Sequence, residues 1–161
     1  MNNCIFCKIV KGEIEAKKIY ENDISIGILD VNPLTKGHCL IISKRHIQWF
    51  YELEDDEFEK VFRAVKIVAR KIKDVLNPEV VCMIVRGLRI PHVHIILIPS
   101  FKEDIVGRFF ALLDAVQSFP PSTKEDIENK LLKLKDAIQN FSQENLKKEM
   151  DKIAVLLRID D

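Results

Sequence analysis

The chain carries no excess charge of either sign: Lys and Arg total 25, and so do Asp and Glu. That balance offers little to a phosphate backbone or an anionic bilayer, so nucleic-acid and membrane partners are set aside. No apolar run approaches a membrane span, and the first residues show no basic segment followed by a long apolar one, as a secretory leader would. Repeats and low-complexity stretches are absent. Four cysteines, two of them only three positions apart, do not make a disulfide scaffold. An intracellular metal or redox site is the better expectation, and with it a cytoplasmic location. Histidine is scarce as well, occurring only at positions 38, 46, 92 and 94.

What is present is enough for one folded unit. Of 161 residues 47% are apolar, sufficient to bury a sizeable core. Lys17–Tyr20 and Ile24–Leu29 read as a hairpin around Glu21-Asn22-Asp23, and His38–Ser43 as a third strand. Between them, Asp30 to Gly37 is turn chemistry. Apolar residues at 58, 62, 65, 69, 72 and 76 keep helical spacing, so 55–76 is predicted as one long amphipathic helix, stopped by Asn77-Pro78. Glu79–Val85 is a fourth strand, and the proline-bounded run Pro91–Ser100 a fifth. The prediction is an α+β core, a meander of five antiparallel strands with one long helix. Beyond Ser100 the pattern turns helical: 105–119, then a helix opened by a capping box of Ser122 and Glu125, then a stripe of Leu146, Met150, Ile153 and Leu157. The last two suggest an αα-hairpin joined near Phe141-Ser142, packed on the core or on a second subunit. The expected division is a core at 1–104 and a helical extension at 105–161.

The fifth strand draws attention because residues two apart share a face, which sets His92 beside His94 in an apolar run. A tetrahedral zinc site of two thiolates and two imidazoles is a common closed set. Cys4 and Cys7 supply the thiolates, His46 at a strand end a third ligand and His92 a fourth. The alternative is a redox or free thiol pair with unrelated histidines. Cys39 and Cys82 lie within strands and read as small buried hydrophobes. With His92 on metal, His94 remains as a free imidazole, a good nucleophile toward phosphorus once its second nitrogen is held by an acceptor. His38 is counted with it as a candidate catalytic residue, on a strand expected to lie beside the fifth. Asp30 suits the two hydroxyls of a ribose, or else simply caps its turn.

Five blocks taken together resemble the histidine triad (HIT) family: Cys4-Ile5-Phe6-Cys7-Lys8-Ile9-Val10-Lys11-Gly12-Glu13-Ile14, Ile28-Leu29-Asp30-Val31-Asn32-Pro33, Lys36-Gly37-His38-Cys39-Leu40-Ile41-Ile42, Lys44-Arg45-His46-Ile47 and Gly87-Leu88-Arg89-Ile90-Pro91-His92-Val93-His94. They stand in family order over roughly residues 2–100, which is more specific than any one motif. The resemblance implies a five-stranded antiparallel sheet per subunit, a homodimer, and binding of a purine nucleotide at its α-phosphate. It implies that His94 attacks that phosphorus, and that Cys4, Cys7, His46 and His92 hold a structural zinc. It assigns Asp30 to the ribose and Ile28, Leu29 and Val31 to the base pocket.

The chain also departs from the family pattern. Ile96 stands where the third triad histidine is expected, and an isoleucine gives the leaving group no proton. Leu88 replaces a usual polar residue in the preceding turn, where Arg89 offers a guanidinium for phosphate or is only a solvated turn residue. Two functions follow: a nucleotide hydrolase or nucleotidyl transferase working through His94, of the phosphoramidase or dinucleoside-polyphosphate hydrolase class, or a catalytically weak or inactive, zinc-stabilised nucleotide-binding interaction protein.

Overall fold

A computed structural model describes residues 3–159. Five strands, β1 (Lys18–Glu21), β2 (Ser25–Leu29), β3 (Cys39–Ser43), β4 (Val80–Val85) and β5 (His94–Ser100), form one sheet in the order β1-β2-β3-β5-β4. All neighbours are antiparallel. The β1–β2 turn is built on Asn22, whose Oδ1 accepts the amides of Ile24 and Ser25. The sheet is not a simple meander. β5 inserts between β3 and β4, because its residues are apolar on both faces and belong in the centre, whereas β4 is partly exposed and takes the edge.

The strand carrying the histidines begins at His94; Pro91, His92 and Val93 precede it as an irregular segment. That segment is still pinned to the sheet, since Ser43 donates its amide to the Val93 carbonyl and Val93 its own to Ile47. The long helix α2 occupies Asp55–Leu76 as its periodicity predicts, and Asn77 ends it in the left-handed conformation. A short helix missed by the sequence reading, α1 (Ile5–Val10), follows Cys4 directly.

The two sheet faces bury different sets. On one, Ile19, Leu29, Cys39, Ile41, Ile95 and Leu97 pack against Val61, Val65, Val68 and Ile72 of α2. On the other, Ile26, Ile28, Leu40 and Ile42 pack under Phe6 of α1, with Ile96 beside them. Register fixes the second row: Ile28 pairs with Leu40, Leu40 with Ile96, Ile96 with Ile84, and Ile42 with His94.

Four helices follow the sheet: α3 (Ile105–Gln117), α4 (Lys124–Gln139), α5 (Gln143–Lys148) and α6 (Met150–Leu157). The predicted capping box lies one residue on, with the Thr123 hydroxyl accepting the Asp126 amide. The predicted hairpin is re-paired: α4 packs against α3, and the second stripe divides into α5 and α6. Its apolar residues Met150, Ile153 and Leu157 enter the helix-side core with α2, and the Ile159 amide donates to the Ile19 carbonyl. Among the described residues no helix is long and apolar enough to cross a membrane.

Candidate active site and metal centre

α1 and the segment before β5 bring four potential ligands together. Cys4 and Cys7 lie one helical turn apart, and opposite them stand His46, beyond the end of β3, and His92. Cys4 Sγ is 3.4 Å and Cys7 Sγ 3.6 Å from His92 Nδ1. His46 Nδ1 is 3.2 Å from Cys7 Sγ and 3.2 Å from His92 Nδ1. A tetrahedron with Zn–N of about 2.0–2.1 Å and Zn–S of about 2.3 Å has edges of roughly 3.3–3.8 Å. The donor set has the spacing and the softness of a structural zinc site.

The tautomer of His92 agrees. Its Nε2 lies 2.8 Å from the Ser43 carbonyl and must donate there, which leaves a lone pair on Nδ1 facing the thiols. Burial holds this imidazole below the usual histidine range, and the nearby His46 and His94 add to the effect against the Ser43 carbonyl. Burial, together with the neighbouring Cys4, raises the Cys7 thiol. The four donor atoms converge within 4.8 Å of one another, close enough for one cation to be shared among them.

His94 is buried, and its ring is oriented by the chain two residues back. Nδ1 stands 2.7 Å from the His92 carbonyl oxygen, which only accepts, so Nδ1 carries the proton and Nε2 the lone pair. Phe6 fixes both rings on one side of the sheet. It meets His92 edge-on at 5.7 Å between centroids and His94 tilted at 4.9 Å. The sequence reading overlooked Phe6 and Ser43. The position of Phe6 between the two cysteines was a signal available once a helix had been read there.

Asp30 leaves β2 half-buried, with Oδ1 accepting the Asn32 amide at 2.7 Å. Its backbone amide donates to the His38 carbonyl, and its Oδ2 lies 3.7 Å from His38 Nε2. His38 Nδ1 accepts the Leu34 amide at 3.1 Å, so the neutral ring carries its proton on Nε2, a buried atom with no hydrogen-bond partner among the described residues, the Asp30 carboxylate lying just out of reach. Burial lowers the His38 pKa, opposed by Asp30. His38 therefore joins Asp30, not His94. It lies four residues along β3 from Ile42, the partner of His94, or about 13 Å at strand rise.

The remaining predicted residues separate. Ile28 is on the His94 face, but Leu29 points into the helix-side core, because adjacent strand residues alternate. Leu29 is thus no lining of a pocket on the His94 face. Val31 is 63% exposed in the turn, free to meet a ligand. Arg89 is exposed in the turn before His92 and makes no hydrogen bond or ion pair with the described residues.

A family description, the HIT domain, matches residues 11–103. The chain belongs to the HIT family. Over 107 residues it is 36% identical to an adenosine 5'-monophosphoramidase of Schizosaccharomyces pombe, covering 63% of this chain and 77% of that protein. Over 76 residues it is 45% identical to protein hit of Bacillus subtilis, covering 47% of this chain and 52% of that protein. The match thus spans about half the length of that relative. A crystal structure of a HIT family member from Bacillus subtilis superposes with a TM-score of 0.62 at 31% identity, covering 87% of this chain and 98% of that one. That coverage runs past the sheet, so the C-terminal helices have at least a partial counterpart in a HIT protein. The HIT fold, a five-stranded antiparallel sheet with helices, is the one this chain adopts.

Proposed function

We propose that this HIT protein hydrolyses or transfers the nucleotidyl group of a purine nucleotide conjugate through a covalent histidine intermediate. The observation that carries the reading is the tautomer of His94, whose Nδ1–H is spent on the His92 carbonyl. Its Nε2 lone pair attacks the α-phosphorus, and the bond to the leaving group breaks with its electron pair. The leaving group takes a proton from solvent as it departs, and the water that attacks next returns one to solvent. Water then attacks the same phosphorus, displaces His94 and releases the nucleoside monophosphate. Asp30 accepts from the ribose hydroxyls with His38 as its partner. Ile28 and Val31 touch the base, and Arg89 is placed to swing onto a phosphate. Cys4, Cys7, His46 and His92 would hold a structural zinc, which supplies rigidity under the nucleophile and takes no part in the bond changes.

Ile96 supports a second reading. It lies on the His94 face between Leu40 and Ile84, an apolar side chain that cannot protonate a leaving group or bind a phosphate oxygen. A protein with that loss can still bind the nucleotide and recruit partners through its helices. The core at 1–104 would then be the nucleotide-binding part and 105–161 the appended one. The balanced charge and the compartment expected of free thiols support a cytoplasmic protein, and the free edge of β4 supports a homodimer.

The test is incubation with adenosine 5'-phosphoramidate, with release of AMP followed. Turnover by the wild type, lost by about 10³-fold or more in His94→Ala, is the expected result. Tight AMP binding without turnover would leave the binding protein instead.

A further inference from the structure

The turn bearing Asp30 and His38 is held from outside the sheet. Four polar contacts from the region of α3, α5 and α6 land between them. The Thr35 hydroxyl donates to Asp104 Oδ2 at 2.6 Å. Lys147 Nζ donates to Asn32 Oδ1 at 3.0 Å, and Gln143 Nε2 to the Pro33 carbonyl at 3.5 Å. Lys36 Nζ lies 3.5 Å from a Glu149 oxygen. These contacts are unequal. The two lysine contacts are exposed and weak. Thr35, in contrast, is 3% exposed, and its bond to a carboxylate is of the strong, charge-assisted kind.

Asp104 is itself fixed. Its Oδ1 accepts the Gly107 amide at 2.8 Å and caps α3, while Oδ2 also lies within 3.4 Å of the Phe101 amide. One carboxylate thus joins the end of β5, the start of α3 and the turn. Pro33, Thr35, Gly37 and His38 are buried, so this bond acts together with packing on the inner side of the turn. Leu34, Thr35 and Lys36 border a cavity of about 920 Å³, with Leu132 and Phe141 among its other lining residues. On the outer side, where Leu34 is 41% exposed, polar contacts rather than packing hold the turn. Thr35 is also one hydrogen bond from the site: its carbonyl accepts the His38 amide, and the adjoining Leu34 amide occupies His38 Nδ1.

We infer that Thr35 is a positioning residue for nucleotide binding, holding the turn through Asp104 so that Asp30 and His38 meet the ribose together. The inference rests on the reading of Asp30 as the ribose acceptor. It assigns the C-terminal helices the task of setting affinity at the sugar, separate from the chemistry at His94.

The experiment compares full-length Thr35→Val and Thr35→Ser with the wild type. AMP affinity, kcat and KM for the phosphoramidate, and hydrogen exchange of the amides from 31 to 38 are measured. Thr35→Val is expected to weaken AMP and raise KM by about tenfold, the size of one hydrogen bond to a charged group. It should leave kcat within about twofold and speed exchange in the turn, and Thr35→Ser should restore all three. Asp104→Asn, which keeps a side-chain oxygen for the α3 cap, should change binding and exchange in the same direction and serves if Thr35→Val does not fold. Wild-type KM and exchange in both Thr35→Val and Asp104→Asn would overturn the inference, as would a general loss of stability with kcat falling and no rescue by serine. A wild type that binds no AMP would defeat the reading of the site, and the exchange comparison would still decide whether the turn is clamped.

Discussion

At position 92 a single residue serves two centres. Its ring presents Nδ1 to Cys4, Cys7 and His46, and its carbonyl accepts the proton of His94 Nδ1. Loss of the proposed zinc would therefore loosen the residue whose carbonyl orients His94. Cys4→Ser is expected to reduce zinc from about one equivalent per chain to a small fraction, and to lower Tm by about 5 °C or more. Metal analysis and thermal unfolding check this; unchanged zinc content would remove the site from the account. His38 gives a pH dependence with a definite sign. Its folded pKa is depressed by burial, so above the ordinary histidine range the ring is neutral in both states and its contribution to stability is complete. As the pH falls below that range the unfolded chain takes the proton first, and stability drops until the folded pKa is passed. Urea midpoints at pH 7.5 and 5.0 should differ more in the wild type than in His38→Gln. Equal differences would sink the assignment. The cluster of Cys4, Cys7, His46 and His92 was legible in the sequence because cysteine and histidine are so scarce that few combinations exist. Leu29 parts from Ile28 because adjacent strand residues alternate between faces, which a block of consecutive residues carried into one pocket does not take into account. The separation of His38 from His94 depends on register, which spacing along the chain does not contain.

Periodicity made α2 readable to the residue, since its apolar positions and its Asn-Pro stop are local signals. Strand order was not readable, because the insertion of β5 between β3 and β4 is decided by pairing across the chain. The same holds for the helices. The stripe through Met150, Ile153 and Leu157 was plain, but its docking beside α2 is a tertiary choice, and so is the pairing of α3 with α4. The consequence for α6 is measurable by substitution. Leu157 is fully buried whereas Leu156 is 41% exposed. Leu157→Ala should cost about 2–5 kcal/mol of unfolding free energy by removing a core side chain. Leu156→Ala on the same helix should cost under about 1 kcal/mol. Equal costs in urea titrations would contradict the placement of α6.

For the molecule as a whole, the exposed edge is β4, where Val80, Met83 and Ile84 are 52%, 50% and 36% exposed. An unpaired edge with apolar side chains is a template for another strand. A homodimer that joins two sheets there would cover it. Light scattering is expected to give about twice the chain mass of 18.7 kDa, and Ile84→Lys to return the single-chain value. A wild type of single-chain mass would end the dimer proposal.

The docking of α6 also bears on how the protein is made. Ile19, near the beginning of the chain, has Leu157 in its core cluster and Ile159 on its carbonyl. A nascent polypeptide still tethered to the ribosome at residue 150 has translated every strand and both candidate centres, yet it lacks the segment that closes the helix side of its sheet. Synthesis must run past α6 before the helix side of the sheet acquires this cover, and chains arrested at residue 150 should be digested by protease where the released protein resists.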